Sequence, residues 1–303
     1  MFASGMSLFL IATFTHLFFL RFSFFLLGLS SGVYLPSAIS TISHLFPSRH
    51  WGRAFAVHEL APNLAFLSAP LFASFFLPVA HWRVAVILLS IATLSSAVIY
   101  ALFGKGDTLF GEPPKLSLCT RIIVQKDFLI LVLLFAVGIT GTIGVFNVLP
   151  LFLVNNHSMT VEYANVLVGL SRLSSLGTAL LGGWLADRFG NRRTIAGVLL
   201  LTGITTLCLG VADGSTLVLM IFLQPVLAVC FFPAGFALLS RLSTEETRNV
   251  VISLAVPLAF VIGGGLVPSL IARMADFGLF NTGLIITGLL ISAPAVLVVQ
   301  LQK

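Results

Sequence analysis

Charge is scarce in this chain: Asp, Glu, Lys and Arg make up 9% of its 303 residues, where a soluble domain carries about 25%. A water-soluble globular fold is excluded. Cysteine is scarce as well. Cys119, Cys208 and Cys230 stand far apart with no metal or redox spacing, so neither a disulfide framework nor a zinc site is implied. The alternating segments of about ten residues that build an outer-membrane barrel are missing, because the apolar runs are long and continuous, as from Leu129 to Val154. Met1 to Leu20 has no Lys or Arg ahead of its apolar stretch and no cleavage site, and reads as a retained helix rather than a signal peptide. Enzyme signatures are absent too. His58-Glu59 resembles the start of H-E-x-x-H, but Pro62 replaces the second histidine, and neither a G-x-S-x-G elbow nor a phosphate-binding G-x-x-x-x-G-K-[ST] loop occurs. The expectation is a protein that is not an enzyme, holds no metal and needs no cofactor.

Apolar sequence is abundant, with 58% hydrophobic residues and a mean hydropathy of +1.11. Windows of about 20 residues place helices near 2–20, 22–46, 52–78, 82–103, 128–154, 161–187, 194–212, 215–240, 248–274 and 278–300. The fold class expected is all-α, a polytopic membrane protein with ten transmembrane helices arranged as four plus six. The polar stretch Gly104 to Asp127 reads as a linker, giving a helical bundle over 1–103, a cytoplasmic linker over 104–127 and a six-helix bundle over 128–303.

A net charge of +6 would suggest nucleic acid in a soluble protein, but topology accounts for it. With loops alternating in side, Arg49, Arg53, Lys105, Lys115, Arg121, Lys126, Arg188, Arg192, Arg193, Arg241, Arg248 and Lys303 share one side, and Arg21, Arg83 and Arg273 the other. Under the positive-inside rule the richer side is cytoplasmic. The C-terminus then lies in the cytoplasm of a multi-pass plasma (cytoplasmic, inner) membrane protein, lipid is its surrounding partner, and no nucleic-acid partner is expected.

The chain also repeats itself. Pro36-Ser-Ala-Ile-Ser-Thr-Ile-Ser43-His44-Leu45 lies over Pro233-Ala-Gly-Phe-Ala-Leu-Leu-Ser240-Arg241-Leu242, and Arg53 precedes Pro62 by nine residues as Arg248 precedes Pro257. Two matches that keep helix order and loop side are the signature of parallel structural repeats in a transporter. On this register Met1–Leu20 corresponds to the third helix of the second half, so the first half has no equivalent of that half's first two helices.

At the end of the sixth apolar run stands Gly183-Trp184-Leu185-Ala186-Asp187-Arg188-Phe189-Gly190-Asn191-Arg192-Arg193. Its parts make physical sense together: a sharp turn at Gly190, basic side chains held on one side, and an acid where a neighbouring helix N-terminus can receive it. The run resembles the G-x-L-a-D-r-x-G-r-r loop signature of the major facilitator superfamily. Gly28-x3-Gly32-x3-Pro36 is similar to that family's fourth helix, and Gly263-Gly264-Gly265 with Pro268 to its eleventh. The resemblance implies a two-bundle architecture of six plus six helices, here without the first pair, acting as a monomer on a small-molecule substrate. It implies that Gly183, Asp187, Arg188, Gly190, Arg192 and Arg193 form a gating loop in which aspartate and arginine make charge-relay contacts. It also implies an arginine at position 24, where this chain has Phe24.

Two residues point to chemistry. Arg172 precedes Asp187 by 15 residues, roughly 22 Å of helix at 1.5 Å per residue, near the midplane of a bilayer about 30 Å thick. An arginine there faces a cavity or a partner, and its rigid fork suits a carboxylate, sulfonate or phosphate. Substrate contact and a structural pair between helices both remain open. Glu59, with His58 beside it and Asn63 one turn on, has Leu254 as its repeat counterpart. An acid present in one half only suits proton coupling, with an ion pair to Arg53 or a hydrogen bond to His58 as the bland alternative. Arg172 and Asn63 are thus the candidate substrate contacts, and Glu59 and His58 the candidate proton-coupling pair. The expected activity is proton-coupled secondary transport of a small organic solute, leaning to an anion, by alternating access. Efflux of drugs or metabolites, and a truncated fragment without transport activity, are the alternatives.

Overall fold

The computed structural model describes residues 1–76, 80–104, 116–245 and 247–301. The linker stretch 105–115, the side chain of Pro70 and the C-terminal Lys303 lie outside the described residues. The first half comprises α1 (Phe2–Thr13), α2 (Leu17–Gly32), α3 (Tyr34–Leu45), α4 (Trp51–Phe76) and α5 (Trp82–Phe103). The second begins with α6 (Leu116–Ile123), α7 (Lys126–Ile139), α8 (Val145–His157), α9 (Val161–Ser171) and α10 (Thr178–Phe189). It continues with α11 (Asn191–Leu209), α12 (Gly214–Val229), α13 (Phe231–Leu242), α14 (Arg248–Phe260), α15 (Val267–Asp276) and α16 (Phe280–Ser292). No strand occurs among the described residues.

Most consecutive pairs are one rod with a fault in it. α2 and α3 run as one element of 29 residues, as do α12 with α13 and α14 with α15. Proline sets the faults: Pro36 and Pro233 have no N–H to give and their rings press on the carbonyl four residues back. Those carbonyls belong to Gly32 and Val229, where α2 and α12 end. Two other rods carry π-helical segments, Thr140–Gly144 between α7 and α8 and Val261–Leu266 between α14 and α15, and the two segments pack against each other.

Eight helical rods are long and apolar enough to cross a bilayer among the described residues, fewer than the ten expected. α1 has 12 residues, about 18 Å at 1.5 Å per residue, which is short of a 30 Å core. The cause is a turn at Phe14-Thr15-His16, not at Arg21: the His16 ring caps α2 by accepting from Phe18 N–H (3.3 Å), and Arg21 falls inside α2. The linker is not bare loop either. α6 is amphipathic and buries Ile122 against Phe128, Val132, Val250 and Ala255 of α7 and α14.

The repeat is visible in the element boundaries. The Ser43 hydroxyl donates to the Ser240 hydroxyl (3.0 Å) across a separation of 197 residues. The same separation relates both ends of α2 to α12, both ends of α3 to α13, and the first residue of α4 to that of α14. A pseudo-twofold axis therefore passes between the two serines. Under this register Arg248 corresponds to Trp51, not to Arg53 as like residue types suggest.

The halves join at their arginine-rich ends. α4 packs on α10 and α13, and α3 on α14. One apolar core runs through the joint, with Ile39, Phe55, Phe135, Phe236 and Ile252 buried in it. A second core, around Phe152, Leu209, Leu284 and Phe280, fills the other end of the second half alone. In the Lys126–His157 rod 83% of the central window is buried, against 6% for Leu17–Leu45 and for Trp82–Phe103. The former is the axis of its bundle and the latter two lie at the periphery.

Candidate functional site: a basic gate and a buried arginine

At the basic end, Gly190 turns the chain between α10 and α11 with φ +88° and ψ 147°, a region open almost only to glycine. The turn leaves Asp187, its side chain 6% exposed, facing the start of α4. Gly52 N–H (2.9 Å) and Arg53 N–H (3.2 Å) donate to its two carboxylate oxygens, and the Arg53 guanidinium lies 3.4 Å away. Free amides and the positive end of the helix dipole thus receive an anion in α4's first turn. The approach is possible because Gly52 and Gly183 face each other: a Cβ on Gly183 would run into the Gly52 carbonyl and the Ala56 side chain.

The other loop residues divide. Arg188 points away, stacked over Trp184 (5.1 Å) and Phe189 (5.7 Å), so the contact with Asp187 comes from Arg53. Arg192 and Arg193 line a cavity of about 960 Å³ together with Arg241 and Arg248. Two symmetric clamps close the axis: the Trp51 indole N–H donates to Ser43 O (3.1 Å), and Arg248 Nη2 donates to Ser240 O (3.1 Å). Arg241 Nη2 reaches across to Ser48 O (2.8 Å). The Asn191 amide, turned so that its oxygen faces them, accepts from Arg241 Nε (3.3 Å) and Leu238 N–H (3.2 Å).

Arg172 sits at the fault between α9 and α10, 3% exposed. Its Nη2 donates to Thr142 O (2.6 Å), a carbonyl in the first π-helical segment. Its guanidinium lies over Phe146 (4.2 Å) and Phe66 (5.4 Å), so both halves contribute to its cage. No carboxylate pairs with it among the described residues. Its Nε has no hydrogen-bond partner. The neighbouring carbonyl, Gly141 O, accepts from Gln224 Nε2 (2.6 Å), which also reaches the Thr206 hydroxyl (3.3 Å).

Glu59 and Asn63 are buried in α4, and Asn63 Nδ2 donates to the Glu59 backbone carbonyl (2.7 Å). The Glu59 carboxylate lies 3.4 Å from His58 Nδ1, while Arg53 is engaged by Asp187. His58 Nε2 is hydrogen-bonded to the Tyr34 hydroxyl (3.2 Å), and both rings border a groove of about 860 Å³ with Ser37 and Tyr100. Sequence reasoning passed over Trp51, Ser43, Ser240, Phe66, Phe146, Thr142 and Gln224 as functional positions. The constant repeat register carried a signal for the first three; the other four form no motif.

Two unequal helical bundles meeting about a pseudo-twofold axis, gated by charge at one end and holding an unpaired cation at mid-height, define a secondary carrier of the alternating-access class. The sequence profile of the Major Facilitator Superfamily matches residues 1–170 and 128–301, and the chain belongs to that family. It is a multi-pass membrane protein of transporter type. Among solved structures it is similar to the Escherichia coli fucose:proton symporter FucP in the outward conformation (TM-score 0.79, 15% identity, all of this chain and 80% of that one). It is similar also to the human organic anion transporter MFSD10 (TM-score 0.77, 17% identity, 98% and 74%) and to a bacterial homologue of the iron transporter ferroportin (0.69, 17%, 99% and 80%). At these identities the likeness is one of fold. No curated protein matches the sequence.

Proposed function

We propose that the chain carries out proton-coupled transport of a small organic anion, with Arg172 binding the anionic group. The observation that carries this reading is a buried guanidinium at mid-height that both halves enclose, that no described carboxylate neutralises and that keeps a free Nε. An uncompensated charge is costly in such surroundings, and a substrate carboxylate offsets that cost through a two-point contact. Glu59, His58 and Tyr34 form the proton path, opening on the groove between α1, α3, α4 and α5. The carrier works as a monomer in the cytoplasmic membrane, its arginine-rich end and C-terminus in the cytoplasm, with the bundles 1–103 and 128–303 rocking about the 104–127 linker. It needs no cofactor and makes or breaks no covalent bond.

The test is electrogenic current in proteoliposomes under a proton gradient, over a panel of lactate, gluconate, benzoate and succinate with fucose as the neutral control. At least one anion should drive current, Arg172→Gln should lower it tenfold or more, and Glu59→Gln should abolish the proton dependence while leaving anion exchange. Unchanged anion currents in Arg172→Gln would overturn the assignment.

A further inference from the structure

The cavity at the basic end is larger than the gate contacts need, and its walls come from both halves: Trp51 from the first, Arg192, Arg193, Arg241 and Arg248 from the second. Among the described residues no carboxylate lies within ion-pair distance of any of these four arginines. Asp187 is committed to α4, which leaves Glu245 as the described acid facing them. Arg248 is 4% exposed and its Nε has no partner. Arg241 and Arg248 are held side by side over the Trp51 ring (5.9 and 5.2 Å), their forks fixed by single contacts to carbonyl oxygens. Several pre-oriented guanidinium forks around one roomy cavity form a receptor for a group with more than one anionic oxygen to share, and phosphate fits that geometry better than a single carboxylate.

We infer that this cavity is an allosteric anion site that takes a phosphate-bearing ligand and holds the gate shut. Because Trp51 and Ser48 come from one half and the arginines from the other, the site is complete only while the halves are joined. A ligand bound there favours the closed end by its differential affinity, and slows turnover. The site is separate from Arg172, so its test does not depend on the transported solute. A free phosphate compound and the phosphate of an anionic lipid share this chemistry.

The experiment measures the rate at which phenylglyoxal modifies individual arginines of the wild-type protein in nanodiscs, read by peptide mass spectrometry. One arm adds inorganic pyrophosphate to discs of phosphatidylcholine; the other replaces part of that lipid with phosphatidylglycerol. Protection of Arg192, Arg193 and Arg241 by tenfold or more in either arm, with exposed Arg188 unprotected, is the expected result, and the arm that protects identifies the source. Arg192→Gln/Arg193→Gln should then weaken pyrophosphate binding, or lipid retention, by at least tenfold. Equal rates with and without both anions, or protection of Arg188 to the same extent, would overturn the inference.

Discussion

The carboxylate of Asp187 shows how a single residue can hold two bundles together. It gains two backbone donors and a guanidinium from the other half, in a place where the α4 dipole also favours negative charge. Asp187→Asn keeps the shape and removes the charge. The expected cost to the closed end is about 1–2 kcal/mol, which corresponds to a roughly 5- to 30-fold rise in the alkylation rate of a cysteine placed by Ser48→Cys. Both the loop signature and the helix N-terminus were legible in the sequence, because they are local. The identity of the N-terminus was not, since Gly52 and Asp187 are brought together only by the fold. Arg172 was legible as an anomaly of charge in an apolar run. Its aromatic cage was not, because Phe66 and Phe146 are two among 28 phenylalanines and nothing in the sequence sets them apart.

Elements here are rods with faults, and the faults create the polar interior. Each π-helical or proline-broken segment leaves carbonyls without their usual donor, and a buried side chain from another helix supplies one: Arg172 for Thr142 and Gln224 for Gly141. Gln224→Met removes the second donor at similar volume. Thermal unfolding in detergent should show a loss of about 0.6–1.7 kcal/mol, the range of interhelical hydrogen bonds in membrane proteins. Crossing geometry has its own test. Gly183→Ala must push α10 from α4 and should cost about 1–3 kcal/mol, the usual penalty of overpacking. Gly197→Ala, in α11 with nothing near its added Cβ, should change stability by less than about 1 kcal/mol. Apolar run length located the rods but not every break. The α1–α2 turn was placed too late because an uninterrupted apolar run hides a helix end that only the His16 cap marks. Pro36 and Pro233, by contrast, announced theirs.

At the scale of the whole molecule, the internal repeat organises the rest. Matching like residues aligned Arg53 with Arg248, whereas the fold aligns Trp51 with Arg248: two different side chains each donate to the carbonyl of a serine eight residues back. Equivalent positions kept the function of clamping a helix end and changed its chemistry, so the register was more informative than residue identity. The consequence is a gate that is symmetric in backbone and asymmetric in charge, with the arginines gathered in the second half. If this joint closes one side in alternating access, it must separate in every cycle. The most direct test introduces Ser43→Cys and Ser240→Cys together, at the pair whose hydroxyls lie 3.0 Å apart on the axis, within reach of a disulfide once oxidised. Mild oxidation in proteoliposomes is predicted to cross-link the pair nearly completely, to abolish the steady anion current, and to release both effects on reduction. Failure of the pair to cross-link, or full current from the cross-linked protein, would contradict the account.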